Sequence, residues 1–315
     1  MQIQDVDLRM LRIFVAIVEC GGLSAAESRL NIGRSTISSH LSDLEVRLGI
    51  TLCKRGRSGF EVTEAGRVTY QASLELLQQC EAFAATVASS KNELSGRVTI
   101  AMIDTLVNDP RCRVAQVIAG LKSRSNNLQF DINVCEAREV ETSVVNGRSL
   151  VGIGVSRHPL RGLDYFPLHN ETNYLYCGKG HPLFDCHPSE IDTLLQQAEV
   201  ITSNYMRDKE TRNDALNYQN TAIAYHDEGI AHLILSGAFI GYLPEHYASN
   251  WVSKGLIKPI LPEKYTYQIP VMLITLRNNS ASPLAKALIK EIKRCHSLAP
   301  SSNASVAKVQ TKKNR

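Results

Sequence analysis

The side chains whose types and spacing could do chemistry fall into three sets. Arg34, Ser35, Thr36, Ser38, Ser39 and His40 crowd one side of a helical pattern, where guanidinium, hydroxyl and imidazole groups can hydrogen-bond base edges and a helix N-terminus can meet a phosphate. Ser24, just upstream, is counted with them, as are Lys54, Arg55 and Arg57, three cations on a glycine-bearing turn suited to a phosphate backbone. Each set also has a plainer reading, a solvated helix face and an ordinary surface hairpin. A second set, Asp104, Thr105, Glu136, Arg138, Thr202, Ser203 and His226, follows expected strands, the place where open α/β sheets hold ligands. Capping or loop hydrogen bonding is the plainer role for each. The third set is sulfur and imidazole: Cys177, His181, Cys186 and His187 are close in sequence but irregularly spaced, so no metal site and no cofactor is expected. Cys112, Cys177 and Cys186 are the thiols a redox sensor would use.

No catalytic residue is expected. Gly152-Ile153-Gly154 lacks the third glycine of a dinucleotide loop, and neither a phosphate-binding loop ending in Gly-Lys-Ser/Thr nor a serine within G-x-S-x-G occurs. An α/β enzyme is the outlying alternative.

Elements must position these groups. Leu8, Leu11, Phe14, Val15 and Val18 predict a first helix over about 7–20, closed by Gly21-Gly22. Ser24 with Glu27 reads as a capping box opening a short second helix that ends near Leu30. After Asn31-Ile32-Gly33, Ile37, Leu41, Leu44 and Leu48 put one apolar stripe on a third helix, opposite its polar face. Thr51-Leu52-Cys53 and Phe60 to Thr63 flank the basic turn as a two-stranded wing. From Glu64 to about Ser90 an unbroken stripe, Val68, Ala72, Leu76, Leu77, Cys80, Phe83, Ala84 and Val87, predicts one helix of roughly 40 Å, whose stripe needs a partner chain. Beyond Gly96, strands expected over 97–103, 130–135, 151–155, 174–177, 200–202, 222–225, 240–243 and 271–275 alternate with helical segments.

Leu8-Arg9-Met10-Leu11-Arg12-Ile13-Phe14-Val15-Ala16, Gly22 to Leu30, Ser38 to Glu45, Leu52-Cys53-Lys54-Arg55 and Val62-Thr63-Glu64-Ala65-Gly66 together resemble the DNA-binding domain of LysR-type transcription regulators. Arg34-Ser35 and Ser39 depart from the residues common in that family, so the operator read would differ. Gly180-His181-Pro182-Leu183 and Gly241-Tyr242-Leu243-Pro244 resemble, more loosely, the family's periplasmic-binding-protein-like sensor. The resemblance implies a winged helix-turn-helix over 1–63, a linker and dimerisation helix over 64–92, and an α/β effector domain of two Rossmann-like sublobes over 95–297. Sublobe I takes 95–161 and 268–297, and sublobe II takes 162–267. It further implies an antiparallel homodimer through the linker helix, pairing again as a tetramer. The DNA site is then pseudo-palindromic, and a small molecule, a carboxylate or similar metabolite held by Thr105, Thr202 and Ser203, would modulate the regulator.

The totals limit the alternatives. At 315 residues the chain suits two or three domains. Four of its 35 basic residues lie after Ser297, leaving 31 against 31 acidic, so net charge gives no support for DNA binding. No apolar run reaches the ~20 residues of a membrane helix and no secretory leader opens the chain, so a cytoplasmic location is expected. The segment 298–315 reads as a disordered tail.

Overall fold

The computed structural model describes residues 4–56, 59–89, 94–156, 158–203, 216, 222–277 and 282–297. Arg57, the side chains of Arg55 and Ser203, and the expected tail after Ser297 lie outside what is described.

Three helices open the chain: α1 (Asp5–Glu19), α2 (Leu23–Leu30) and α3 (Arg34–Leu48). Phe14 and Ile17 of α1 pack with Ile37, Leu41 and Leu44 of α3 and with Leu52, all essentially solvent-free. Each such side chain contributes roughly 1.5–3 kcal/mol of burial, and together they hold α3 rigidly by its apolar stripe. The antiparallel strands β1 (Cys53–Gly56) and β2 (Gly59–Val62) follow, in register Cys53 opposite Val62. Then comes α4 (Glu64–Ser89), one uninterrupted helix as the stripe required.

The expected capping box is not formed. Gly21 and Gly22, at φ 72° and 151°, turn the chain so tightly that Gly22 is already the N-cap of α2, which places Ser24 inside the first turn. Glu27 spends its carboxylate elsewhere, on α3.

The remainder runs β3 (Gly96–Met102), α5 (Val114–Lys122), β4 (Leu128–Val134), α6 (Ala137–Val145), β5 (Val151–Gly154), β6 (Leu163–Gly178), α7 (Ile191–Gln197), β7 (Thr202–Ser203), β8 (Ile223–Ala224), α8 (Asp227–Leu235), β9 (Ile240–Pro244), α9 (Glu245–Ser253), β10 (Ile257–Pro259), β11 (Thr266–Leu276) and α10 (Pro283–Ser297). The chain divides into two compact units. One holds residues 1–104, 124–166 and 272–286, the other 105–123, 167–271 and 287–315.

In the first unit β3 pairs in parallel with β4 and β5, and the Met272–Ile274 stretch of β11 pairs antiparallel with β5. Ala101, Cys135, Val140, Val144, Leu163 and Ile274 form its α/β core. In the second, β9 and β10 flank β6, both antiparallel to it, while β7 and β8 form a short parallel pair. The sheet is therefore mixed. β6 is far longer than the Tyr174–Cys177 strand expected from its apolar end, because its first half alternates polar and half-buried residues (Asp164, His169, Glu171, Asn173) rather than forming a continuous apolar run.

Candidate nucleic-acid interface and ligand site

The polar face of α3 is presented as the sequence required: Arg34, Ser35, Thr36 and Ser39 are exposed, Ser38 and His40 half-buried, and Ser24 of α2 is exposed. Its N-terminus is built by an unexpected group. Gly33, the N-cap, has no side chain to offer, and Glu27 Oε1 accepts the Arg34 backbone N–H at 2.6 Å. That N–H is thus taken by a carboxylate and is not open to a phosphate; the rest of the polar face is unaffected.

The wing is tied to the same helix. Glu45 Oε1 accepts the N–H groups of Leu52 (2.7 Å) and Cys53 (3.1 Å), fixing β1 on the last turn of α3. Thr63 Oγ1 donates to the carbonyl of Thr51 and accepts the N–H of Gly66, joining β2 to α4. Lys54 is exposed on β1. Near the C-terminal end of α3, Arg47 forks onto the carboxylate of Asp7, which is 1% exposed. Hydrogen bonds from the guanidinium and from the Gln4 N–H hold that carboxyl below its ordinary 3.8.

The ligand candidates separate into two groups. In the first unit Asp104 follows β3 and Glu136 follows β4; the two strands are parallel neighbours, ending with Met102 opposite Val134, so both acids stand at one carboxyl edge, with exposed Arg138 in the first turn of α6. In the second, Thr202 and Ser203 form β7, level with Ile223 and Ala224 of β8, and His226 is the N-cap residue of α8 just beyond. Thr202 is buried at 2% exposure. Thr105 has φ 61°, a left-handed backbone that a β-branched residue adopts only at a cost.

His181, Cys186 and His187 each serve a local turn, while Cys177 is buried in β6 with its thiol 3.9 Å from the Lys258 carbonyl. His181 Nδ1 accepts the Leu183 N–H, the Cys186 thiol lies 3.6 Å from the Leu183 carbonyl, and His187 Nδ1 pairs with Ser189 Oγ. Burial pushes the Cys177 thiol up to about 12 and raises that of Cys112 as well, the opposite of what a reactive thiol needs. His181 and Cys186 line an open groove of about 580 Å³ with Asp185, Ser189 and Glu190.

Sequence reasoning missed the positioning groups Glu45 and the Asp7–Arg47 pair, and found Glu27 but not its partner. The Asp7–Arg47 pair is separated by 40 residues, and only the α1–α3 packing brings it together.

A family model for the LysR substrate binding domain matches residues 91–295, and one for the bacterial regulatory helix-turn-helix protein, lysR family, matches residues 8–67. The chain belongs to the LysR family. It is a transcription regulator with that family's helix-turn-helix and effector-binding domains. Among curated LysR relatives, the HTH-type transcriptional activator BauR of Pseudomonas aeruginosa is 39% identical over 293 residues, 92% of this chain and 96% of BauR. Among solved structures, full-length CbnR complexed with its target DNA superposes with TM-score 0.61 at 17% identity, covering 91% of this chain and 99% of CbnR. LysG of Corynebacterium glutamicum with bound effector Arg gives 0.54 at 18%, covering 92% and 97%. At these identities the two structures share the LysR fold with this chain. Among the described residues no helix is long and apolar enough to cross a membrane.

Proposed function

We propose that this LysR regulator is a cytoplasmic, non-enzymatic protein that binds a pseudo-palindromic operator as a homodimer paired through α4, two dimers associating as a tetramer. The functional division runs as a DNA-binding domain over 1–63, a linker helix over 64–92 and an effector domain over 95–297. The observation that carries the reading is the polar face of α3, with Arg34, Ser35, Thr36 and Ser39 exposed on a helix locked from behind by Ile37, Leu41 and Leu44. Arg34, Ser35, Thr36, Ser38, Ser39 and His40 read bases, while Ser24 and the wing cations Lys54, Arg55 and Arg57 follow phosphates. Pairing through α4 is supported by Val68, Phe83 and Val87, 64%, 71% and 48% exposed on one long helix. CbnR's complex with its target DNA and LysG's bound arginine are the precedents within the fold.

The effector is a carboxylate-bearing metabolite. Thr105, Thr202 and Ser203 supply hydroxyl donors, Arg138 the balancing cation for Asp104 and Glu136, and His226 a further donor at the N-terminus of α8. Its binding changes the spacing of the DNA-binding domains, and the linkage is reciprocal: operator DNA must change effector affinity by the same factor.

The test is binding to DNA from the regulator's own upstream intergenic region against scrambled DNA, at several salt concentrations, with Arg34→Ala. Selective binding that Arg34→Ala weakens by about 1–3 kcal/mol supports the reading. Equal, purely salt-driven binding to both DNAs removes it.

A further inference from the structure

Within the second unit, at the far end of the short turn that Thr105 opens, Asp109, Glu171 and His246 close on one point with His169 beside Asp109. Asp109 ends the 3-10 turn before α5, His169 and Glu171 are alternate residues on one face of β6, and His246 lies in the first turn of α9. Their side chains are 0%, 8%, 7% and 5% exposed. Asp109 Oδ2, Glu171 Oε2 and His246 Nε2 all lie within 4.8 Å of one another.

The separations are those of ligands around one ion. His246 Nε2 is 3.0 Å from Glu171 Oε2 and 3.7 Å from Asp109 Oδ2, and His169 Nε2 is 3.1 Å from Asp109 Oδ2. Bonds of about 2.0–2.1 Å in a tetrahedral shell put neighbouring donor atoms about 3.3 Å apart. Hydrogen bonding adds a second argument. His169 Nε2 pairs with Asp109 Oδ2 at 3.1 Å, while Nδ1 of His169 and Nδ1 of His246 make no hydrogen bond. His246 Nε2 hydrogen-bonds Glu171 Oε2 at 3.0 Å, the contact that an ion would replace, and a buried imidazole nitrogen left without a partner is costly.

The surroundings support the carboxylates and leave a charge to be filled. Arg111 donates through N, Nε and Nη2 to Asp109 at 2.8, 2.9 and 3.0 Å, and Asn173 Nδ2 donates to Glu171 Oε1 at 3.2 Å, the outer contacts that orient metal-binding carboxylates. His296 stacks parallel to His169 with ring centroids 6.3 Å apart, its own nitrogens taken by the Ile292 carbonyl and the Arg113 N–H. Two buried carboxylates share the one Arg111 guanidinium, so the second negative charge is met by an imidazole proton or by a cation.

We propose that Asp109, Glu171 and His246 form a buried site for one divalent first-row metal ion, with His169 beside Asp109 outside the ligand set; Zn²⁺ suits one imidazole and two carboxylates with an open fourth position. The ion joins the turn before α5, the middle of β6 and the start of α9, and so staples the second unit from inside.

The experiment uses the full-length chain, stripped with chelator, loaded with Zn²⁺ and desalted, with metal content and thermal unfolding both read. Expected is about one Zn²⁺ per chain with a raised unfolding midpoint, retained by the exposed-site control His158→Gln, and metal content at least tenfold lower in His246→Gln and Glu171→Gln that keep the parent's circular dichroism. Co²⁺ titration of the unsubstituted chain asks the same question without risk of misfolding: intense ligand-field bands of a low-coordinate site are expected. Content well below one ion, equal content in His246→Gln, or only the spectrum of hydrated Co²⁺ overturns the proposal and leaves a histidine proton as the compensating charge.

Discussion

Glu27 Oε1 and the backbone nitrogen of Arg34 stand 2.6 Å apart, so the second helix supplies the cap that the third, opening on Gly33, lacks. The carboxylate also faces the positive end of the α3 dipole. Glu27→Ala should cost about 1 kcal/mol of stability, and operator affinity should fall because the first turn of α3 frays where Arg34, Ser35 and Thr36 sit. Glu27→Gln, which keeps an acceptor, should lose less. Thermal unfolding and operator titration of both variants check this; equal behaviour of alanine and glutamine would sink it.

Asp7 predicts a pH dependence with a definite sign. Its folded-state pKa lies below the ordinary 3.8, so the stability it contributes is complete above that value and is lost as pH falls through the lower, folded-state one. Asp7→Asn should therefore lower the unfolding midpoint of the N-terminal domain at neutral pH, with the gap to the parent closing in strong acid. A gap that stays constant from about pH 6 down to about pH 2 would refute the assignment.

Thr105 holds a left-handed backbone at φ 61°. Thr105→Gly should relieve about 1–2 kcal/mol of strain while deleting the hydroxyl proposed to hold the effector. The expected result is a more stable chain whose effector affinity falls about tenfold, a change of roughly 1.4 kcal/mol, with operator binding in the absence of effector unchanged. Unaltered effector affinity would remove Thr105 from the site.

A thiol at about 12 is almost wholly protonated at neutral pH, so native Cys177 should resist alkylation at pH 8 under conditions that label it fully once unfolded. Cys112→Ser and Cys177→Ser should likewise leave any oxidant response of operator binding as it is in the parent. Rapid native labelling of Cys177 would reopen the redox reading.

What was legible in the sequence was what local rules determine. The apolar spacing of Ile37, Leu41 and Leu44 fixed which face of α3 is free, and the proline-free stripe from Glu64 marked the start of α4 and its unbroken course through Ser89. What was not legible depends on partners far along the chain. Glu27 carries a capping signature toward Ser24, and only the two glycines at 21 and 22, by starting α2 early, release it to Arg34. Gly66 read as one letter of a motif; in three dimensions a Cβ there would lie 2.1 Å from the Leu52 carbonyl oxygen, so the wing can seat on α4 only over a glycine. Glu171 and its neighbour His169 did carry a signal, two residue types of ligating chemistry spaced by two on a strand, but the strand itself was hidden by its polar alternation, and Asp109 and His246 come from sixty or more residues away on either side.

The exposed apolar side chains of α4, Val68 and Phe83, bear on the cell's arithmetic. With α4 completed by a second copy, as proposed, assembly is second order, so at low abundance the number of operator-competent dimers rises as the square of the number of chains. A modest change in synthesis of this regulator then produces a disproportionate change in promoter occupancy before any effector is bound, and its own expression level becomes an input that its target genes can sense.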